Sequence, residues 1–365
     1  MIGGPGKREA FQQPLPNMID GGHAAVSDRI LVVLPNWVGE TLFATPFLRA
    51  VRTQRPGSRL ATLGWLQCRE VLLHNPCVDE CLDYDERGAH RSLAGKRRLI
   101  RILRAHRFDA AFILRKSLSR SALLALAGIP IRIGFANPKS GWLLTHRIHA
   151  GQTLQHKAAS YLPLLGASAA LSPYEYVVSE EEWRAAHAWL RGFGIEDDRP
   201  FIVLHPGANW FHKRWPPERF AEVGDRLRAA HHMEVLITGG PDGVPLAASI
   251  AARMREPSMV AAGRTSLRGL AACLAQARLV VSNDTGVLHV AAALRRPAVA
   301  LYGPTSPALT GPLGDPERTV VLHHPDCCPA IPCYQPDHPG HPGMGAITVD
   351  EVYTACAQLL EPGVR

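Results

Sequence analysis

The segment Val280-Val281-Ser282-Asn283-Asp284-Thr285-Gly286-Val287-Leu288-His289 joins an apolar run to an Ala/Leu-rich one through a polar turn. It reads as a buried strand, a break at Ser-Asn-Asp-Thr-Gly, and a helix with His289 near its first turn. Such a join leaves backbone N–H groups aimed beyond the carboxyl end of the strand. With the helix dipole they suit an anionic phosphate. Asp284 or Thr285 can cap the helix while presenting oxygens to a polyhydroxyl ligand. The same residues also suit an ordinary capped helix. A second constellation, His323-His324-Pro325-Asp326-Cys327-Cys328 through Cys333, with His338 and His341 beyond, has donor atoms for a metal. It lacks the paired C-x-x-C spacing of a zinc site, so a Pro-rich covering loop is expected and no metal is assigned.

These residues need a scaffold, and the apolar pattern supplies one. Ile30-Leu31-Val32-Val33-Leu34 is a wholly apolar run, as expected of a central parallel strand. Pro35-Asn36-Trp37-Val38-Gly39-Glu40 makes the turn after it, and Thr41–Gln54 reads as a helix. Strands follow at 60–64, 110–114 and 131–134, with helices around 96–106 and 119–126. The alternation restarts at Pro200–His205, continues through strands at 234–238, 259–262 and 279–281, and ends at Pro297–Tyr302. Strands alternating with helices imply an open α/β sheet, here built twice. Ligands in such sheets bind beyond the strand carboxyl ends, so a cleft between two facing halves is the default site. The expected organisation is a disordered leader at 1–27, an N-terminal domain at 28–170, a C-terminal domain at 171–348, and a helix with tail at 349–365. Ser172-Pro173-Tyr174 has the look of a linker.

Composition narrows the class. The chain has 365 residues, 46% hydrophobic and 20% charged, enough for two domains with real cores. Its net charge of +8 favours anionic partners. The concentrated run Lys96-Arg97-Arg98 through Arg101 and Arg104 reads first as a solvated helix face. No aromatic-rich basic strand points to nucleic acid. Five of the eight cysteines (Cys68, Cys77, Cys81, Cys273 and Cys356) sit singly in apolar or helical surroundings, as free thiols do. Residues 1–26 lack the apolar core of a signal peptide, and no apolar run reaches about 18 residues. A cytoplasmic location is expected, with peripheral contact at the inner membrane open.

The arrangement resembles glycosyltransferase family 9, which contains the ADP-heptose:lipopolysaccharide heptosyltransferases. The resemblance covers most of residues 29–360. Its motifs are Pro35-Asn36-Trp37-Val38-Gly39-Glu40; His205-Pro206-Gly207-Ala208 with Lys213-Arg214-Trp215-Pro216; Gly263-Arg264-Thr265-Ser266-Leu267; and Ser282 through His289, closing at Leu301-Tyr302-Gly303-Pro304-Thr305. Each is short, and their order and spacing together carry the specificity. The resemblance implies a GT-B fold, with two Rossmann-like domains whose parallel sheets face a central cleft. It also implies a nucleotide-activated sugar on the C-terminal half and an acceptor on the N-terminal half.

Sugar transfer from a nucleoside diphosphate needs a base for the acceptor hydroxyl and positive potential at the leaving group. No Asp-x-Asp follows any of the expected strands to hold a divalent metal, so side chains and a helix N-terminus should provide the charge, with no cofactor. Lys213 is the best phosphate-binding cation, and Gly286 permits close approach at the helix start. Glu40 is the candidate base. The family usually has Asp there, and the added methylene changes reach by roughly 1 Å, an error that can cost about 100-fold in rate. By resemblance, Ala208 and Asn209 lie at the diphosphate, Asp242 near the ribose hydroxyls, and Thr265 along the adenine pocket. His289 faces either the sugar phosphate or the core. Trp37 and Gly39 would line the acceptor side. Arg115, Lys116 and Arg120 are anchors for an anionic acceptor or solvated charges.

The expected activity is an inverting, metal-independent transfer of a sugar, foremost heptose from ADP-heptose, to a lipopolysaccharide-core-type acceptor. A soluble natural product as acceptor, or a non-catalytic sugar-nucleotide binder, are the alternatives. A dehydrogenase fits less well, because no Gly-x-Gly-x-x-Gly follows the first strand.

Overall fold

The computed structural model describes residues 29–149, 151, 154–166, 169–196, 199–328, 330–333 and 341–361. The expected leader at 1–27 and His338 lie outside the described residues. The chain divides into two compact units between Ser172 and Pro173.

The first unit is built on six strands: β1 (Arg29–Val33), β2 (Arg59–Gly64), β3 (Glu80–Asp83), β4 (Ala110–Ile113), β5 (Ile131–Phe135) and β6 (His146–Ile148). They lie in the order β3-β2-β1-β4-β5-β6, every neighbouring pair parallel. The second unit repeats this with β7 (Phe201–His205), β8 (Glu234–Ile237), β9 (Met259–Val260), β10 (Leu279–Asn283), β11 (Ala298–Tyr302) and β12 (Thr319–His323). Its order is β12-β11-β10-β7-β8-β9, again all parallel. Counted from each unit's own first strand, both sheets read 3-2-1-4-5-6, the doubly wound order whose direction reverses between the first and fourth strands.

The central strands are apolar along their whole length because helices cover both faces of a parallel sheet. Ile30, Leu31, Val32 and Val33 are fully buried, as are Ile202, Val203 and Leu204 of β7. Each such side chain contributes about 1.5–3 kcal/mol relative to exposure. One core gathers Leu31, Val33, Leu103, Phe108 and Leu124; the other gathers Ile202, Val281, Leu301, Phe220 and Ile347. The terminal helix Val349–Leu360 starts at a capping box made by Thr348 and Glu351. It packs Val352, Ala355, Cys356 and Leu359 into that second core.

The helix expected at Thr41–Gln54 begins three residues earlier, at Val38, with Pro46 tolerated inside it. Strands β3, β6 and β12 were not expected. Each is an edge strand and only partly buried, so its sequence lacks a continuous apolar run. Strand β3 ends in an Asp-x-Asp, Asp83-Tyr84-Asp85, whose carboxylates are engaged: Asp83 by Arg69 at 3.2 Å and Asp85 by the N–H groups of Arg87, Gly88 and Ala89. Among the described residues no helix is long and apolar enough to cross a membrane.

Candidate active site

In the first unit β1 and β4 leave the sheet side by side. Val33 pairs with Ile113, and the Leu114 N–H donates to the Val33 carbonyl at 3.2 Å. The turn Pro35–Trp37 therefore emerges next to Arg115-Lys116, at the point where strand order reverses. The turn is held from several sides. Arg120 donates to the Leu34 carbonyl and to Asn36 Oδ1. Gln67 Nε2 donates to the Asn36 carbonyl at 2.6 Å, and the Cys68 thiol to the Pro35 carbonyl at 3.2 Å. Trp37 then caps the helix Val38–Gln54 through its backbone carbonyl, which accepts from the Thr41 N–H at 2.8 Å and from Thr41 Oγ1 at 3.0 Å.

Glu40 thus lies in the first turn of that helix, where the dipole favours a carboxylate. It lines a cavity of about 560 Å³ together with Trp37, Arg115, Lys116, Lys157 and Tyr161. The cavity lining carries three cations and one carboxylate, a balance that attracts anions. Lys157 Nζ donates to Glu40 Oε1 at 2.5 Å. Tyr161 is buried, and burial followed by the nearby Glu40 charge pushes its hydroxyl well above the ordinary tyrosine range. It remains a protonated donor at neutral pH.

Trp37 is exposed and sets its ring edge-on to Trp65 at 5.9 Å. Arg115 and Lys116 are exposed on the cavity wall, and Gly39 sits within the first helical turn. Arg120 is different. It is only 2% exposed and its guanidinium is engaged with the turn, so it braces Pro35-Asn36 from within. Arg120→Met leaves the Leu34 carbonyl without this donor and should lower stability by about 2 kcal/mol. In a unit of this size that is a Tm loss of roughly 5 °C, measured by thermal unfolding. An unchanged Tm would mean the turn holds without it.

The second unit repeats the geometry. Ser282 pairs with His205, and Asn283 continues the match beyond the sheet: its Nδ2 donates to the Pro206 carbonyl at 2.8 Å. Asn283 Oδ1 accepts from the Trp215 N–H at 3.2 Å. Trp215 is buried against Phe220 and donates its indole N–H to the Ile347 carbonyl at 2.9 Å. The loop between, anchored at both ends, closes in a 3-10 turn at Phe211–Lys213. Arg214 Nε and Nη2 donate to the Ala208 carbonyl at 3.0 and 2.8 Å, while Asn209 is exposed.

Lys213 Nζ reaches Asp284 Oδ2 at 2.6 Å, and Thr305 Oγ1 donates to the same oxygen at 2.6 Å. Burial alone would raise the Asp284 carboxyl, but the Lys213 charge, the His289 ring and these hydrogen bonds outweigh it and hold it below the ordinary range. Asp284 is turned inward, so it does not offer open oxygens to a ligand. The cap of the helix Gly286–Ala293 is Thr285, and it makes no side-chain bond to the first-turn N–H groups. His289 lies on the core side of that helix. It is buried, 3.8 Å from Asp284 Oδ1 and edge-on to Tyr174.

Asp242 and Thr265 stand on neighbouring turns after β8 and β9. The Gly263 N–H donates to the Gly239 carbonyl at 2.9 Å. Gly263 has φ +71°, and a Cβ there would meet Val244 Cγ2 at 2.8 Å. Only glycine closes this approach. Asp242 is exposed and Thr265 half-buried; Ser266, the next residue, caps the helix Leu267–Leu274.

Residues 96–334 match the sequence profile of glycosyltransferase family 9 (heptosyltransferase), well over half of the chain. The chain belongs to this family. Lipopolysaccharide heptosyltransferase 2 of Escherichia coli (strain K12) is 28% identical over 306 residues, 80% of this chain and 88% of that protein. Its Salmonella typhimurium counterpart is 29% identical over 314 residues, with the same two coverages of 80% and 88%. The solved ADP-heptose LPS heptosyltransferase II of E. coli superposes with a TM-score of 0.78 at 27% identity, covering 91% of this chain and 98% of that one. A glycosyltransferase family 9 structure from Veillonella parvula gives a TM-score of 0.81 at 26% identity, with coverages of 91% and 97%. This family 9 chain is a glycosyltransferase of the GT-B fold class, as its motifs imply.

Lys157, Tyr161, Asn283 and Thr305 did not stand out as functional in the sequence. Lys157 lies 117 residues from Glu40 in a segment without periodicity. Asn283 and Thr305 do fall inside matched motifs, and that position was the available signal.

Proposed function

We propose that this family 9 enzyme transfers heptose from ADP-heptose to a hydroxyl of a lipopolysaccharide-core-type acceptor, with inversion and without a catalytic metal. The observation that carries this reading is Glu40, paired with Lys157 in a cavity that also holds Arg115 and Lys116. The cations hold an anionic acceptor, and Glu40 takes the proton of its attacking hydroxyl. The acceptor oxygen bonds to the anomeric carbon as the bond to the diphosphate breaks, and ADP departs. Glu40 is the single carboxylate among the described cavity residues, which suits one direct displacement and not a covalent sugar–enzyme intermediate.

On the donor side, Lys213 and the N–H groups at Gly286 stabilise the charge developing on the diphosphate. Asp284 serves this by aiming Lys213. Asn209 and the Ala208 backbone flank the diphosphate, Asp242 the ribose and Thr265 the adenine. The names of the relatives support heptose, ADP and lipopolysaccharide.

Calorimetric titration with ADP, GDP, UDP and dTDP, with no added metal, tests the donor side. ADP should bind at least about tenfold tighter than the others, a margin of roughly 1.4 kcal/mol. A preference for another base would discard ADP-heptose while leaving the family intact. The anomeric configuration of the product, read by NMR, tests inversion.

A further inference from the structure

Three soft ligands converge beside the turn that follows β11. Cys328, Cys333 and His341 bring one donor atom each within 4.8 Å of the others, and all three are buried. They come from separate pieces of chain. Cys328 closes the 3-10 turn Pro325–Cys327, with its N–H donating to the Pro325 carbonyl at 3.1 Å. Cys333 is fixed by its N–H, which donates to the Pro304 carbonyl at 2.8 Å. His341 caps the short helix Pro342–Ala346, its Nδ1 accepting from the Gly343 N–H at 3.1 Å.

Two thiols and an imidazole are the donor set of a borderline-soft dication. Around tetrahedral zinc, ligand atoms about 2.0–2.3 Å from the metal lie roughly 3.5–4 Å apart, so a contraction of at most about 1.3 Å brings these three into place. The cluster is interior, which separates it from the exposed acidic groups that gather without an ion. We propose that Cys328, Cys333 and His341 bind one structural zinc-class cation. Both thiols release their protons to solvent on binding, and a further donor completes the tetrahedron.

The ion has a place in the fold. Cys333 holds Pro304, and the next residue, Thr305, donates to Asp284. From the other side Met344 presses on Gly303 so closely that a Cβ there would come 2.4 Å from its Cγ. A metal clasping Cys333 and His341 therefore braces the Gly303-Pro304-Thr305 turn from both flanks. This inference does not depend on the identity of the donor sugar.

The full chain, purified anaerobically under reducing conditions, should contain about one Zn²⁺ per chain by elemental mass spectrometry, or take up that amount on titration. Cobalt substitution should give thiolate-to-cobalt charge-transfer absorption. Cys328→Ser and Cys333→Ser should each lose the metal and the absorption, whereas Cys327→Ser, at an exposed neighbour outside the cluster, keeps both. Protein that binds neither ion, metal retained in both cluster variants, or a Cys328–Cys333 disulfide in the reduced preparation overturns the proposal. If the variants do not fold, the metal content of the unaltered protein decides alone.

Discussion

Glu40→Gln is expected to lower kcat for sugar transfer by about 10²–10⁴-fold while ADP affinity stays within roughly twofold. The amide keeps the shape and the helical first turn but can take no proton from the acceptor. It also ends the charge pairing with Lys157, which sits 2.5 Å away in the unaltered protein. Lys157→Met separates these effects. If Lys157 orients Glu40, that variant loses part of kcat. If Lys157 holds only the acceptor, KM rises alone. Glu40→Asp probes the extra methylene: faster transfer would mean that the glutamate is a compromise, slower transfer that the cavity is built around it. The measurements are initial rates with saturating donor, plus calorimetric ADP binding. Turnover of Glu40→Gln within tenfold of the unaltered enzyme would remove Glu40 from the role of base.

Lys213→Ala should have a double effect, on ligand and on fold. Loss of the cation should weaken ADP binding by at least tenfold, about 1.4 kcal/mol. It also strands Asp284, a side chain only 5% exposed, with its main counter-charge gone. Breaking a buried pair in this way costs about 3–5 kcal/mol, and the partial exposure of Lys213 places the cost near the lower end. The pH dependence follows from the sign of the shift. Lys213 and His289 depress the folded-state carboxyl of Asp284 against the opposing effect of burial. Its contribution to stability is therefore full above the unfolded-state value, near 3.9, and fades as pH falls through the lower folded-state value. In Lys213→Ala burial dominates, the carboxyl rises, and the deficit is greatest at neutral pH. It shrinks on acidification towards pH 4. Urea unfolding at both pH values checks this, and Asp284→Asn in the Lys213→Ala background should recover much of the loss. Equal stability at neutral pH and unchanged ADP binding would refute the assignment.

Central strands and phosphate-facing turns are local, and local patterns are legible. Val280–Leu294 announces a buried strand, a polar break and a helix because the period of its apolar residues changes across Ser282–Gly286. The wholly apolar runs at 30–34 and 201–204 are short for buried helices and suit strands covered on both faces. The helix Glu180–Gly192 was not expected, although its capping box at Ser179 and Glu182 is a local signal. By contrast, Glu80-Cys81-Leu82-Asp83 becomes a strand because β2 offers it a free edge, with little apolar pattern of its own.

The sequence by itself determined the two-fold alternation, the doubly wound class, and the short motifs that place Glu40 and Lys213 after the first strand of each half. The partners of those residues were decided by tertiary structure. Lys157 meets Glu40 across 117 residues, Arg120 reaches Asn36 across 84, and Lys213 reaches Asp284 across 71. Nor could the sequence say which role a polar side chain would take. Arg115 and Arg120 follow the same strand, yet one lies open on a cavity wall and the other is buried beneath a turn. Cys328, Cys333 and His341 have no recognisable ligand spacing and meet only once β12 and the helix Pro342–Ala346 have packed. The physical reason is the same throughout. Backbone periodicity and turn chemistry act between neighbours in the chain, whereas burial, ion pairing and ligand convergence depend on distances that exist only after the sheets have formed.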